Sequence, residues 1–390
     1  MTSNDATLIS VTPRGTRPRN RRDQIRAAAT ALFYERGYEQ VSIADVAESV
    51  NVGPSALYRH FSGKSELLFE AIDQIIGAFA GMVADLPDRN LEGIARTAAR
   101  TAIAYRPLGV LWQREARNLP DAQLAVLRRN LREAVLTLAG TLRGIRPELS
   151  AEEAEFLAAC GVNAMSSISF HRLEITDEQL LTDLAHRVLA YDFAAPEAPG
   201  HVRRALPPPT TRREEIADAA AALFALHGYD AVGVDDIGAA VGIAGPSIYN
   251  HFTSKQDLLF SSLGRAYAML QESLADALET KAPTPEVLRR VIESYVDLTH
   301  DHSDLVTNLI AESRNLGEEY AEVAQKAQLG YIGQWVALLQ ELRPDEDETV
   351  SRIKVQSAQM MANSVCRTLY LRSRPGFRRD LGEICWLLLA

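Results

Sequence analysis

Cysteine is scarce in this sequence: Cys160, Cys366 and Cys385 are the only three in 390 residues. This odd, scattered set has no CxxC or Cys/His spacing, so it predicts neither a disulfide framework nor a zinc site and favours a reducing cytoplasm. No uninterrupted apolar run approaches the roughly 20 residues needed to cross a bilayer, so no membrane span is expected. The first residues lack a basic region followed by an apolar core, so no signal peptide is predicted.

Enzyme motifs are also missing. The sequence contains no GxSxG, no P-loop, no dinucleotide glycine pattern and no HExxH. Nothing in it pairs a nucleophile with a base. We therefore predict no catalytic residue, no cofactor and no enzymatic activity.

Positive charge is in the minority, with 41 Lys and Arg against 51 Asp and Glu and a net charge of −10. Such a balance argues against a general nucleic-acid binder. The distribution is uneven, however, because residues 11–70 hold nine basic and seven acidic residues. Six of the nine lie between Arg14 and Arg26. An anionic partner is therefore expected to meet the N-terminal segment first.

The sequence contains a long internal repeat. Residues 22–69 match 213–260 without gaps, with 19 of 48 positions identical at an offset of 191. The match continues at an offset of 197 and then, late in each repeat, at 200. The chain thus consists of two modules of about 190 residues, called copy 1 and copy 2, joined by a Pro-rich linker. The stretch "HDHSD" (300–304) looks like a metal site, but its copy 1 counterpart is "IAYRP", so we predict no metal.

Apolar spacing predicts an all-α chain. The first helix is indicated by an apolar face containing Ile25, Leu32 and Phe33. A second helix is predicted at 42–50 with a capping box from Ser42 to Asp45, a third at 54–61 with Pro54 at its start, and a fourth from Lys64. Two short helices joined by a tight turn are typical of a helix-turn-helix.

The third helix has the composition of a recognition helix. Ser55, Tyr58 and Arg59 can point outward, while Leu57 and Phe61 can pack inward. Lys64 begins the next helix, where positive charge and free N–H groups suit a phosphate. The basic arm before residue 21 can reach the DNA backbone or the minor groove.

The stretches "ALFYERGYEQVSIADVAESVNVGPSALYRHFSGKSELL" and "ALFALHGYDAVGVDDIGAAVGIAGPSIYNHFTSKQDLL" resemble the signature of the tetracycline-repressor (TetR) family. Each module has the length of one family subunit, so the resemblance covers nearly the whole chain. It implies two tandem modules, each with a three-helix DNA-binding head and a helical ligand and dimerisation domain. The predicted segments are a basic arm (1–20), head 1 (21–69), regulatory domain 1 (70–193), the linker (194–211), head 2 (212–260) and regulatory domain 2 (261–390).

The resemblance also implies double-stranded operator DNA as the partner. The predicted DNA-binding residues are Arg17, Arg19, Arg21, Arg22, Ser42, Ser55, Tyr58, Arg59, His60, Lys64, Ser247, Tyr249, Asn250, His251 and Lys255.

Head 2 departs from this pattern. Gly233 replaces Ser42, Asp235 replaces Ala44 and Asn250 replaces Arg59. Residues 210–265 hold four basic and seven acidic residues. Since phosphate neutralisation supplies much of DNA affinity, head 1 is predicted to dominate binding. The alternative is a ligand-sensing interaction protein whose DNA-binding heads have degenerated.

The helical domains are expected to hold a small-molecule effector. Candidate ligand-binding residues are Trp112, Glu115, Arg117, Asn163, Glu312, Arg314 and Asn363. The competing interpretation is that the Glu-x-Arg-Asn-Leu segments form internal ion pairs that hold each domain together. "REARNLP" resembles a TetR subgroup linked with acyl-thioester or lipid metabolism, which implies an apolar or acyl-CoA-like effector.

Two assemblies are compatible with the repeat. Apolar helices late in each copy, near "AEFLAACGVNAMSSISF" and "VQSAQMMANSVCRTLYL", can pair to form an intramolecular pseudo-dimer, or two chains can form a homodimer. The resemblance favours a repressor, with an activator as the other possibility.

Overall fold

The computed structural model describes residues 21–86, 88–175, 177–194, 208–279 and 281–390. These residues are largely helical and contain no strand, which confirms the all-α class. The basic arm (1–20), with the predicted DNA contacts Arg17 and Arg19, lies outside the described residues. Residues 195–207 of the linker lie outside them as well.

The α-helices of copy 1 are α1 (Arg21–Arg36), α2 (Ile43–Ser49), α3 (Pro54–Leu57), α4 (Lys64–Ala84), α5 (Leu91–Ala104), α6 (Leu108–Val110), α7 (Asp121–Ile145), α8 (Ala151–Ser166) and α9 (Glu178–Leu189). Those of copy 2 are α10 (Arg212–His227), α11 (Val234–Ala240), α12 (Lys255–Leu278), α13 (Thr284–Asp301), α14 (Ser303–Ala311), α15 (Glu318–Leu342), α16 (Glu348–Cys366), α17 (Leu369–Arg372) and α18 (Phe377–Leu389).

The chain divides into two compact units. Unit 1 consists of the described part of Met1–Asp85 together with Ala104–Thr137, and unit 2 of Leu86–Ile103 together with Leu138–Ala390. Head 1 therefore belongs to unit 1, and the whole of copy 2 belongs to unit 2 with the last helices of copy 1.

Unit 1 has a core that head 1 shares with the segment after α6. Ile25, Ala29 and Phe33 of α1 are fully buried, as their spacing predicted. Leu111 and Leu127 belong to the same cluster. The head is therefore fixed to the helices that follow it by a continuous apolar core.

Helix α4 is the long apolar helix of unit 1. By length and composition alone it could cross a bilayer, a property that the search for uninterrupted apolar runs missed because charged residues interrupt it. Leu67, Leu68, Ile72 and Ile76 are nonetheless packed inside the unit 1 core. Such burial is typical of a core helix in a water-soluble protein.

The third helix of each head differs from the prediction. In copy 1, α-helix covers only Pro54–Leu57 and residues 58–60 form a turn. In copy 2 the corresponding segment is a 3₁₀ helix, Gly245–Asn250. Phe61 and Phe252 nonetheless lie in the cores of their heads, each four residues after the buried Leu57 or Ile248.

Unit 2 contains head 2 and a layer in which the two copies meet. Helices α8 and α9 of copy 1 pack against α16 and α18 of copy 2. Phe156 of α8 lies edge-on to Phe377, with ring centroids 5.6 Å apart. The two apolar helices that the sequence predicted to pair, α8 and α16, do pack together in one chain.

The three cysteines are free and buried in unit 2. Burial raises the pKa of each thiol, and that of Cys366 rises to about 12. They are therefore unreactive core residues rather than redox groups.

Candidate nucleic-acid interface

Head 1 presents its predicted contact residues to solvent. Ser55, Tyr58 and Arg59 are exposed, and 58% of the Tyr58 surface is accessible. His60 is half-buried. Leu57 and Phe61 are inside the core, as predicted, so the polar and apolar faces of this short segment are cleanly divided.

The turn between the two helices needs a left-handed backbone. Asn51 has φ 59° in copy 1, and its counterpart Gly242 has φ 71° in copy 2. Asparagine and glycine are the residues that tolerate this region best. Both heads therefore form the same tight turn, head 1 with an asparagine and head 2 with a glycine at the left-handed position.

The second helix of head 1 begins with the predicted capping box. Asp45 N–H donates to Ser42 Oγ at 3.1 Å, and Ser42 N–H donates to Asp45 Oδ2 at 2.7 Å. Ser42 Oγ also donates to Asp45 Oδ2 at 2.6 Å. These bonds lower the pKa of Asp45, the Ser42 hydroxyl contributing most. The Ser42 hydroxyl already has local partners, so any phosphate contact has to be shared with the cap.

The Lys64 ammonium lies 4.0 Å from the centroid of the Tyr38 ring. Burial lowers its pKa, while the nearby carboxylates of Glu39 and Glu115 act in the opposite direction. Copy 2 repeats this arrangement, with the Lys255 ammonium 4.1 Å from the Tyr229 ring centroid. Each lysine thus helps to hold its head together, and its phosphate contact stays a prediction.

Arg22 belongs to an ion-pair network inside head 1. Its guanidinium lies 4.4 Å from the centroid of the Phe61 ring and pairs with Glu66 and Glu70. Arg213 occupies the same place in head 2, over Phe252 and 3.0 Å from Asp257.

Arg21 Nη1 donates to the Val50 carbonyl at 3.2 Å. The predicted DNA-contact residues Arg21 and Arg22 therefore have internal partners, a role that the basic composition of this segment did not reveal.

In head 2, helix α11 and the 3₁₀ helix that follows it approach each other closely at two glycines. A Cβ on Gly238 would lie 2.7 Å from the Ile243 carbonyl oxygen and 2.9 Å from Gly245 N. A Cβ on Gly245 would lie 1.9 Å from Asp235 Oδ1. Copy 1 has Ala47 and Pro54 at the positions of these two glycines. The close approach is therefore a feature of copy 2 alone.

The outward face of head 2 is less basic. Tyr249 and Asn250 are exposed, whereas Ser247 and His251 are half-buried. The Asp235 carboxylate is exposed in the first turn of α11, where copy 1 has Ala44. Negative charge at this place opposes a phosphate.

The candidate ligand residues are spread over both units. Glu115 is buried in unit 1 and accepts the Tyr38 backbone N–H at 2.9 Å. Trp112 packs on the same core, and Arg117 is half-buried. The Glu115 bond links the head to the helical segment 108–118. The internal ion pair and the ligand contact both stay predictions.

In copy 2, Glu312 is fully buried and accepts a bond from Asn315 Nδ2 at 2.7 Å, whereas Arg314 is exposed. Asn363 Oδ1 accepts the Tyr295 hydroxyl at 2.8 Å. Asn163 Nδ2 instead donates to the Ala159 carbonyl on its own helix at 2.9 Å.

The sequence did not single out the Tyr295 contact. Tyr295, Tyr331 and Trp335 form a buried aromatic cluster in copy 2. Copy 1 has Ala98, Ala134 and Leu138 at the corresponding positions, a difference that a comparison of the two copies could have found.

Comparison with known proteins identifies the two heads. The family described as bacterial regulatory proteins, tetR family, matches residues 25–71 and 216–261. The transcriptional activator FasR of Mycolicibacterium smegmatis is 34% identical over 95 residues, which are 24% of this chain and 43% of that protein. The transcriptional repressor KstR2 of Rhodococcus jostii is 35% identical over 111 residues, which are 26% of this chain and 54% of that protein. The chain thus spans about half the length of these curated relatives.

Solved structures resemble about one module. The ketosteroid transcriptional regulator KstR2 of Mycobacterium tuberculosis has 23% identity and a TM-score of 0.39, covering 46% of this chain and 94% of its own. AibR, solved with isovaleryl coenzyme A and operator DNA, has 21% identity and a TM-score of 0.36, covering 38% of this chain and 84% of its own.

Proposed function

The chain belongs to the tetR family of bacterial regulatory proteins, and from this premise we propose that it is a ligand-responsive repressor. It binds operator DNA in the cytoplasm mainly through head 1, and a small apolar effector releases it. The supporting observation is the exposed recognition segment with Tyr58 and Arg59, which stands next to the turn at Asn51.

Head 1 dominates binding in this proposal because the two outward faces differ in charge. Head 1 offers Arg59 where head 2 offers Asn250, and head 2 adds the exposed Asp235 carboxylate. Arginine binds phosphates and guanine edges, whereas asparagine reads adenine and neutralises no phosphate. Head 2 therefore contributes sequence preference more than affinity.

The operator in this proposal has two unequal half-sites. Pairing of copy 1 with copy 2 inside one chain makes a pseudo-dimer whose heads carry different contact residues. A palindrome is then no longer required, in contrast to the operator of a symmetric homodimer.

We propose an acyl-CoA-like effector. The supporting observation is the segment "REARNLP", which resembles a TetR subgroup linked with acyl-thioester or lipid metabolism. In this proposal the signal runs through residues 108–118 to Glu115, which accepts the Tyr38 backbone N–H, and the Tyr38 ring in turn contacts the Lys64 ammonium. A shift of that segment would disturb the head at the start of α4.

Salt-dependent DNA binding tests the function. Fluorescence anisotropy with the protein's own promoter region should show a steep fall in affinity as salt rises, because phosphate contacts release counterions. Absence of binding at low salt would favour the alternative, a ligand-sensing interaction protein with degenerate heads, for which the exposed Asp235 is the supporting observation.

The dominance of head 1 is tested with matched alanine variants of exposed residues. R59A should weaken operator binding by roughly tenfold or more, and N250A by less. K64E and K255E form a second pair, with circular dichroism to confirm folding because both lysines contact a ring. Equal losses within each pair would contradict the dominance of head 1.

The signalling route is tested with E115Q, which keeps the size of Glu115 but removes its charge. DNA release by a series of acyl-CoA thioesters should require higher effector concentrations in the variant. E92Q is the control, since the ion pair of Glu92 with Arg96 lies on the solvent-facing side of α5. Unchanged release would exclude the charge of Glu115 from the route, because the glutamine oxygen can still accept the Tyr38 N–H.

A further inference from the structure

Polar contacts cross between the two copies inside a layer of unit 2 that is otherwise largely apolar. They involve residues late in each copy, on or next to helices α8, α9, α16 and α18. The contacts are Ser167 Oγ to Ser357 Oγ at 2.9 Å, Arg187 Nη1 to the Leu387 carbonyl at 3.0 Å, and the Tyr191 hydroxyl to Asp380 Oδ1 at 3.0 Å.

Arg187 and Leu387 are equivalent positions of the repeat, at the offset of 200 that relates the last helices. Because the Arg187 guanidinium reaches the main-chain carbonyl of Leu387, the two positions lie near the local pseudo-two-fold axis, where a residue meets its own counterpart. If copy 1 of one chain paired symmetrically with copy 1 of a second chain, the two Arg187 side chains would lie near each other. Two half-buried guanidinium groups at one place repel each other, which disfavours such a pair in a packed interface.

The other contacts also depend on unlike partners. At the same offset, Asp380 corresponds to Leu180 and Ser357 corresponds to Leu157. If copy 1 paired with the copy 1 of a second chain, the Tyr191 hydroxyl would face Leu180 instead of a carboxylate. The Ser167 hydroxyl would face the aliphatic side chain of Leu157. A buried polar group left without its hydrogen bond destabilises the pair that buries it.

Asp380 reaches Tyr191 from a fixed position in copy 2. It is fully buried and receives Arg374 Nη1 at 2.6 Å and Arg379 Nη2 at 2.8 Å. Copy 1 has Glu174 and Gln179 in place of these arginines. The carboxylate and the cations that balance it therefore exist on one side of the layer only.

We propose that Arg187, Tyr191 and Ser167 favour pairing of copy 1 with copy 2. The same residues disfavour pairing of copy 1 with the copy 1 of a second chain. The partner that this surface fits is the second module of the same chain, held near it by the linker. Attraction to the correct partner and repulsion from the wrong one act together. This inference concerns assembly and does not depend on the DNA or effector proposals.

Exchange of the two residues beside the axis tests the proposal in the full chain. L387R alone adds a second arginine beside the carbonyl that Arg187 reaches, and should lower the midpoint of thermal unfolding and promote concentration-dependent association. The exchanged variant R187L/L387R again has one leucine and one arginine at these two positions. It should recover the unfolding midpoint and the association behaviour of the unmodified chain. The expected coupling is about tenfold in the pairing equilibrium. Circular dichroism and size-exclusion chromatography with light scattering measure these effects.

The controls separate pairing from local damage. R187K keeps the charge and should behave as the unmodified chain, and R290L removes an exposed arginine on α13 without effect. If L387R does not fold, the milder L387K with and without R187L gives the same comparison. The proposal is overturned if the exchanged variant is no better than the single one, or if the single variant behaves as the unmodified chain.

Discussion

Glu66 shows how a single residue stabilises the start of a helix in head 1. Its Oε2 accepts the Ser62 backbone N–H at 2.5 Å and the Ser62 hydroxyl at 2.6 Å. The hydroxyl bond is the largest cause of the lowered pKa of Glu66, followed by the backbone bond, with Arg22 contributing less. A carboxylate with a lowered pKa stabilises the fold above the ordinary glutamate range and loses this effect as pH falls through its folded pKa.

We therefore expect E66Q to unfold at a lower temperature than the unmodified chain at pH 7. The difference should shrink as the pH falls below the ordinary glutamate pKa of about 4.3, and vanish only below the lowered folded pKa, where Glu66 is neutral as glutamine is. Thermal unfolding followed by circular dichroism across this range measures it, with E92Q as an exposed control. A difference independent of pH would mean that the charge of Glu66 is not the cause.

At the scale of elements, head 2 differs from head 1 by the glycine contact between α11 and the 3₁₀ helix that follows. Gly238 approaches the backbone of Ile243 and Gly245, which cannot move aside as a side chain can. A Cβ on Gly264, in the middle of α12, would meet no neighbour within 4 Å among the residues that the structure describes. The same substitution should therefore have opposite effects at these two glycines.

G238A is expected to destabilise the protein by about 1–3 kcal/mol through overpacking. G264A is its matched control and should stabilise the chain by about 0.5–1 kcal/mol, because alanine is the better helix former. Urea unfolding measures both. A neutral G238A would show that head 2 relaxes toward the spacing of head 1, where Ala47 fits.

At the scale of the whole molecule, Asp380 connects the end of copy 1 to copy 2. Its carboxylate balances Arg374 and Arg379 and accepts the Tyr191 hydroxyl. Breaking a buried ion pair leaves an uncompensated charge. One of the polar contacts between the copies, from Tyr191, thus ends on a buried carboxylate that two arginines of copy 2 hold in place.

D380N should consequently destabilise the protein by about 3–5 kcal/mol, whereas Y191F removes one hydrogen bond and should cost about 1 kcal/mol. E286Q in the exposed pair with Arg290 is the control, with an effect under about 1 kcal/mol. Urea unfolding measures all three. Similar effects of D380N and E286Q would exclude Asp380 as a central contact.

The all-α class, the two modules, the capping box at Ser42 and the outward face of Tyr58 and Arg59 follow from the sequence alone. Each depends on residues close along the chain, or on the repeat, whose periodicity and capping chemistry are local. Only the tertiary structure decided that α3 is a single turn, that Lys64 lies over Tyr38, and that Glu115 holds the Tyr38 N–H. It also decided that Arg187 meets Leu387 and that Tyr191 meets Asp380. These contacts join residues far apart along the chain, and spacing along the chain carries no information about which distant groups the packed core brings together.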